Sequence, residues 1–257
     1  MSMQRYFLEV MYKGTNYSGF QVQENAPTVQ AEVEKAFAVL QRVAVTMTGS
    51  SRTDSKVHAL QNFFHFDTDV VLHPQFLYKI NAILPGDIVI KNVYPVSSEA
   101  HCRFDAVSRT YQYHIYRSKN PLLEDRAYYF PYQIDMEQLQ AAAAVLTEYK
   151  DFTSFSKRNT QVHTFLCNIQ HSEWRKESNT LVFYVTANRF LRGMVRGLVG
   201  TMLQVGRGKI SIAAFRNIIE AKDCTQVDFA VPGHGLFLTE VAYPKELGLV
   251  PAALAKS

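Results

Sequence analysis

Between Tyr6 and Val93 the apolar residues switch back and forth between a spacing of two and a spacing of about 3.6, and few folds accommodate that order. Residues 6–12 (YFLEVMY) alternate apolar and polar positions and are rich in aromatics, the pattern of a half-buried strand. Thr28 then offers an N-cap, and Val29, Val33, Phe37 and Leu40 fall on one face of the following helix. Residues 45–48 and 62–67 read as strands, 74–82 as a helix with Pro74 near its first turn, and 88–93 as a strand. The order is therefore strand, helix, strand, strand, helix, strand.

A similar plan returns further on. Strands are expected at 109–116, 164–171, 180–187 and 236–243, and helices at 135–147, 190–205 and 210–221. The fold class is α+β, with two halves at 1–105 and 106–257, each an antiparallel sheet with helices packed on one face. No repeat is visible in the residues themselves. The join, at 100–106, lacks the Pro/Gly/Ser character of a flexible linker, so the halves are expected to pack rigidly.

Hydrophobic residues make up 47% of the 257 and charged residues 19%, which excludes disorder. A formal charge of +4 permits a nucleic-acid partner without demanding one. Cys102, Cys167 and Cys224 are far apart and form no CxxC pair, so reduced thiols are expected. The first residues carry no apolar signal core, and no run approaches the roughly 20 apolar residues that span a bilayer. These features read as a soluble, cytoplasmic protein.

Three stretches carry chemistry. Gly49-Ser50-Ser51-Arg52-Thr53-Asp54-Ser55-Lys56-Val57-His58-Ala59 follows a strand and sets Asp54 between Arg52 and Lys56. Opposite charge nearby favours an ionised carboxylate, a group able to act as nucleophile or general base. The plainer alternative is an aspartate capping its own turn. In Asn188-Arg189-Phe190-Leu191-Arg192-Gly193-Met194-Val195-Arg196-Gly197-Leu198-Val199-Gly200, Arg192 and Arg196 are four apart and expected on one helix face, with Arg189 a turn earlier. Gly193, Gly197 and Gly200 make a stripe that invites close approach of another backbone, since each costs a helix up to about 1 kcal/mol. On the strand Arg109-Thr110-Tyr111-Gln112-Tyr113, the arginine and both tyrosines share a face. That face either stacks an unpaired base or belongs to a sheet core. The eight histidines follow no metal-ligand spacing, Asp67, Asp69, Asp87 and Asp105 are scattered, and no GxxxxGK[ST] or GxGxxG follows a strand. Neither a metal nor a nucleotide cofactor is expected.

Together these stretches resemble the TruA family of tRNA pseudouridine synthases from residue 6 to about 244. The resemblance rests on Tyr17-Ser18-Gly19-Phe20-Gln21-Val22-Gln23 with Thr28-Val29-Gln30, on Arg52-Thr53-Asp54, and on Arg109-Thr110-Tyr111-Gln112-Tyr113. It continues in Phe190-Leu191-Arg192-Gly193-Met194-Val195-Arg196, Val205-Gly206-Arg207-Gly208 and Pro232-Gly233-His234-Gly235-Leu236-Phe237-Leu238.

The resemblance implies two ferredoxin-like (RRM-like) halves whose antiparallel sheets meet along a basic cleft, with helices on the outer face. It also implies a homodimer, and isomerisation of uridine to pseudouridine at positions 38 to 40 in the anticodon arm of tRNA, without a cofactor. Asp54 matches the catalytic aspartate, Tyr111 the tyrosine that stacks on the target base, and Arg196 the arginine that pairs with the aspartate. Arg52, Arg109, Arg189, Arg192, Lys56 and Leu236 are expected at the substrate. A non-catalytic tRNA-binding protein on the same scaffold, and a glycosidase using Asp54 with water, are the alternatives. The chain departs from the family's usual Gly-Ala-Gly and Ala-Gly around Arg-Thr-Asp, with Gly49-Ser50-Ser51 and Ser55-Lys56. It has Phe20 where tryptophan is common. Glycine at position 56 would permit a positive φ, so the lysine implies that the loop has changed its path. Lys56 is then either solvated or in reach of an RNA phosphate.

Overall fold

The computed structural model describes residues 3–158 and 162–252. The chain forms two compact units, one running to Val107 and resuming at Leu238, the other spanning Ser108–Phe237. The first break lies two residues beyond the expected join. The C-terminal residues, expected with the second half, belong to the first unit, because their strand lies beside a strand of that unit. The architecture is mixed α+β with mostly antiparallel strand pairing.

The first unit contains β1 (Gln4–Tyr12), α1 (Val29–Gln41), β2 (Thr48–Gly49), β3 (His58–Thr68), α2 (Phe76–Ile83) and β4 (Ile88–Val96). β1 lies between β4 and β3, and β2 joins β3, all antiparallel. The final strand β9 (Leu236–Ala242) also lies beside β3. Thr28 caps α1 as expected, its Oγ1 accepting from the Ala31 N–H at 3.4 Å. Arg42 ends the helix at φ +58°. Val29, Val33 and Phe37 are buried, and Phe37 meets the edges of Phe66 and Phe76. β3 runs longer than the expected 62–67 because β1 pairs with it back to Ala59.

Asn62, Phe63, Phe64, His65 and Phe66 of β3 are all buried, so both faces of this strand are covered. Phe66 meets Phe37 of α1, while Phe63 meets Phe7 and Tyr243. Glu9 is buried among polar partners: burial alone would favour its neutral form. Hydrogen bonds from Asn92 (2.7 Å), Tyr94 (2.7 Å) and Gln61 (3.0 Å) nevertheless hold its carboxyl below the usual range.

The second unit contains β5 (Ser108–Tyr116), β6 (Tyr128–Tyr129), α3 (Met136–Val145), β7 (Ile169–Glu177), β8 (Thr180–Ala187), α4 (Met194–Gly206) and α5 (Ile212–Glu220). β8 lies between β5 and β7, antiparallel to both, and β6 runs parallel to β5. Asp135 caps α3, its carboxylate accepting from the N–H groups of Glu137 and Gln138. α3 packs on β7, α4 and α5.

Two expectations shift here. The strand placed at 164–171 is Ile169–Glu177, because the polar segment after Ile169 closes a hairpin on β8, with Glu177 opposite Thr180. The helix placed at 190–205 begins only at Met194. Gly193 takes φ +75°, and the Met194 N–H returns to the Leu191 carbonyl at 3.0 Å, which makes residues 191–194 a turn.

One face of α4 explains its glycines. Arg196, Thr201 and Gln204 bond a chain segment at 228–231: Gln204 Nε2 reaches Asp228 Oδ2 at 3.1 Å, and the Asp228 N–H reaches Thr201 Oγ1 at 3.3 Å. A Cβ on Gly200 would sit 2.2 Å from the Asp228 carbonyl oxygen, and one on Gly197 2.8 Å from Val227 and Phe229 side chains. The close backbone approach inferred from the glycine stripe holds at Gly200. Gly193 lies outside the helix. Gly200→Ala is expected to destabilise the fold by about 1–3 kcal/mol through overpacking, despite a gain of about 1 kcal/mol in helix propensity. Gly86→Ala, where a Cβ meets nothing within 4 Å, should leave the urea unfolding midpoint almost unchanged. Equal midpoints for the two variants would contradict this account.

Candidate active site

The segment from Ser50 to Val57 leaves β2 and is bound along its length to three neighbouring stretches of the first unit. The Ser50 N–H donates to the Phe63 carbonyl at 2.8 Å, and Asn62 Nδ2 donates to the Ser51 carbonyl at 2.9 Å. The Thr53 and Tyr12 hydroxyls are 2.7 Å apart, and Asn62 Nδ2 also reaches the Tyr12 hydroxyl at 3.3 Å. On the far side, the Phe20 N–H donates to the Thr53 carbonyl (3.1 Å) and the Lys56 N–H to the Tyr17 carbonyl (3.2 Å). The Val57 N–H closes a turn on the Asp54 carbonyl at 3.2 Å. Ser51, Thr53 and Val57 are buried, Asp54 is half-buried, and Arg52, Ser55 and Lys56 are exposed. Asp54 is thus half-buried on a loop whose backbone is fixed, with exposed Arg52 and Lys56 two residues away on either side in the chain.

Gly14 makes the packing possible. A Cβ there would sit 2.0 Å from the Val57 carbonyl oxygen, while the Gly14 N–H donates to buried His58 Nδ1 at 3.0 Å. Tyr12, Asn62, Gly14 and His58 were not singled out from the sequence. The one available signal was Asn62, a polar residue amid the apolar NFFHF run.

In the second unit, β5 presents Arg109, Tyr111 and Tyr113 on one buried face, as the alternation predicts. Arg109 Nη1 donates to the Asn188 carbonyl at 3.0 Å, and the Tyr111 ring meets the Phe190 ring edge-on at 5.0 Å. β5 and the stretch at 188–191, where Arg189 is half-buried, are therefore held together. Tyr113 is a core residue: its hydroxyl donates to the Pro232 carbonyl at 2.8 Å, and burial raises its pKa. Its ring also fills the space where a Gly235 Cβ would stand, which positions the turn leading into buried Leu236.

The expected arginine column is absent. Arg192 lies in the turn before α4 and is exposed, Arg189 lies in extended chain, and only Arg196 is on the helix. Arg196 Nε donates to the Val231 carbonyl at 2.8 Å and Nη2 to that of Phe229 at 3.3 Å. Among the described residues no group of three His, Cys, Asp or Glu is placed to hold a metal ion, and no helix is long and apolar enough to cross a membrane.

Lys56 corrects a second expectation. It takes φ +64°, so this position holds the left-handed conformation that glycine would adopt instead of avoiding it. The loop's hydrogen bonds at Lys56 and Val57 hold that geometry against a cost of about 1–2 kcal/mol. Lys56→Gly should therefore raise unfolding free energy by up to about 1 kcal/mol, after the entropic cost of glycine is deducted. Lys56→Val should lower it by about 1 kcal/mol or more, because branching at Cβ disfavours this region further. The reverse ranking in chemical denaturation would show that position 56 carries no strain.

A family model described as tRNA pseudouridine synthase matches residues 142–244. A tRNA pseudouridine synthase A from Parabacteroides distasonis is 47% identical over 95% of this chain and 98% of its own. One from Bacteroides thetaiotaomicron is 44% identical over 95% and 93%, and one from Staphylococcus aureus 35% identical over 92% and 91%. Likeness of this extent runs through both units, and the chain belongs to the tRNA pseudouridine synthase A family.

Proposed function

We propose that this chain converts uridine to pseudouridine in the anticodon arm of tRNA, at the family's positions 38 to 40, with Asp54 as its catalytic carboxylate. As a member of the tRNA pseudouridine synthase A family it is an isomerase acting on tRNA. The observation that carries the finer reading is the fixed loop: half-buried Asp54, with exposed Arg52 and Lys56 two residues to either side in the chain, on a segment bonded to Tyr12, Asn62, Tyr17 and Phe20.

The reaction breaks the C1′–N1 bond, turns the uracil, and joins C1′ to C5. The C5 proton leaves and N1 gains one, so atoms and charge balance without a change of oxidation state. An ionised Asp54 supplies an electron pair either to a carbon or to a proton. The uridine must first leave its stack, which costs a few kcal/mol. Tyr111 is assigned to stack on the freed base, and Arg196 to pair with Asp54. Arg52, Arg109, Arg189, Arg192 and Leu236 are assigned to substrate binding, and Lys56 to an RNA phosphate. A homodimer in the cytoplasm completes the proposal.

Asp54→Asn should lower pseudouridine formation by at least about 10⁴-fold while tRNA affinity changes little, because the carboxylate offers phosphate no attraction. Turnover near that of the unaltered protein would remove Asp54 from the reaction. Arg196→Ala should reduce turnover and also stability by about 1–3 kcal/mol, since two carbonyls lose their donor. Arg196→Lys should not restore turnover, for lysine lacks the planar fork. Sedimentation at micromolar concentration should give twice the mass of one chain; a single-chain mass would overturn the dimer.

A further inference from the structure

The first unit holds a cavity of about 260 Å³, and of its lining only Arg52 has a part in the reaction proposed above. Phe20, Gly49, Arg52, His101, Arg103 and Phe104 line it. This volume is smaller than the roughly 300–1,000 Å³ of pockets that take drug-sized molecules, and suits one flat ring. Its Phe20 wall is a core ring, buried and stacked on Phe64 at 4.5 Å. A Cβ on Gly49 would lie 2.3 Å from Phe20, so backbone forms the adjoining wall.

Phe104 is the anomaly. It is 74% exposed, on a turn whose geometry is fixed. His101 Nδ1 accepts from the N–H groups of Arg103 and Phe104, and the Asp105 carboxylate accepts from the His101 N–H at 2.7 Å. The rings run in series from interior to solvent: His65 to His101 at 4.5 Å, then His101 to Phe104 at 4.2 Å. The Arg103 guanidinium lies 5.8 Å from the centre of the Phe104 ring, and Arg52 is exposed on the loop that carries Asp54. An exposed aromatic ring with one guanidinium over it and a second lining the same cavity matches the means by which proteins hold single-stranded nucleic acid: a stacking surface for the base and cations for its phosphate.

We propose that this cavity receives one unpaired nucleobase of the tRNA, other than the target uridine, which stacks on Phe104 while Arg52 and Arg103 hold the adjoining phosphate. The inference rests on the proposed function, in that it takes tRNA as the substrate, and it adds a second nucleotide subsite to the same loop.

The test measures the Kd of unmodified tRNA in an Asp54→Asn background, with pseudouridine formation by the unaltered protein assayed separately. Phe104→Ala should weaken binding about 5- to 150-fold, the range for loss of one base–aromatic stack. Phe104→Leu should be nearly as weak, and Phe104→Trp should bind at least as tightly as phenylalanine. The melting temperature should not move, because the ring is exposed. Arg103→Gln should reduce the slope of log affinity against log salt by about one phosphate contact, and Phe104→Ala should not change it.

Abasic substitutions placed one at a time through the anticodon arm should reveal a single position that weakens binding to Phe104 and adds nothing to Phe104→Ala. Unchanged affinity in the alanine and leucine variants, or additive losses at every abasic position, would overturn the subsite. So would a Phe104→Ala protein that loses its self-association without RNA, since the ring would then belong to a protein contact. Absence of pseudouridine from the unaltered protein sinks the proposed function instead, and is read from a different assay.

Discussion

The hydrogen bond between the Tyr12 and Thr53 hydroxyls joins the end of β1 to the middle of the loop that carries Asp54, and the fixed path of that loop depends on it. Both partners are buried, so neither hydroxyl is left to water, and breaking the pair would strand a polar group at a cost of about 1–3 kcal/mol. Asn62 adds a donor to the Tyr12 oxygen and another to the Ser51 carbonyl. β1 and β3 must therefore keep their register, since one residue of slip would turn Asn62 to the other face. A carboxylate carried on such a loop has little freedom to lose when substrate binds, which is where positioning lowers a barrier.

Close backbone contact is the second recurring device, and both units use it. In the first, Gly14 lets the loop at Val57 pass within reach of its own backbone. In the second, Gly200 lets the segment at 228–231 lie against α4, where Arg196 holds two of its carbonyls. Arg196 is thus a structural residue as well as an assigned member of the reaction, and its guanidinium is oriented by bonds that do not involve substrate.

Legibility followed the range of the forces concerned. The α1 cap at Thr28, the alternation of β5 and the limits of β8 at 180 and 187 were all readable, because side-chain period and capping act between near neighbours. The start of α4 was misread because its apolar spacing continues backward through Phe190 and Leu191, whereas Gly193 at φ +75° ends the helix. That single turn dissolved the arginine column. β7 was placed too early because HSEWRKE is polar, and only its pairing with β8 makes it a strand. The loop at Lys56 was misjudged for a similar reason: an unfavourable φ was expected to redirect the chain, but hydrogen bonds from the Lys56 and Val57 N–H groups to the Tyr17 and Asp54 carbonyls outweigh about 1–2 kcal/mol.

By itself the sequence determined the order of the longer strands and helices, the Thr28 cap, and the stretches on which the assigned residues lie, since these depend on local period and residue type. Tertiary structure alone decided that Asp54 sits on a clamped loop, that the C-terminal strand belongs to the first unit, and that Gly14 and Gly200 admit another stretch of chain. It also decided that Phe104 stands exposed beside a cavity shared with Arg52. Those features depend on residues dozens of positions apart, such as Tyr12 with Thr53 or Gly200 with Asp228. No local pattern encodes which distant partner satisfies a buried hydroxyl or carbonyl.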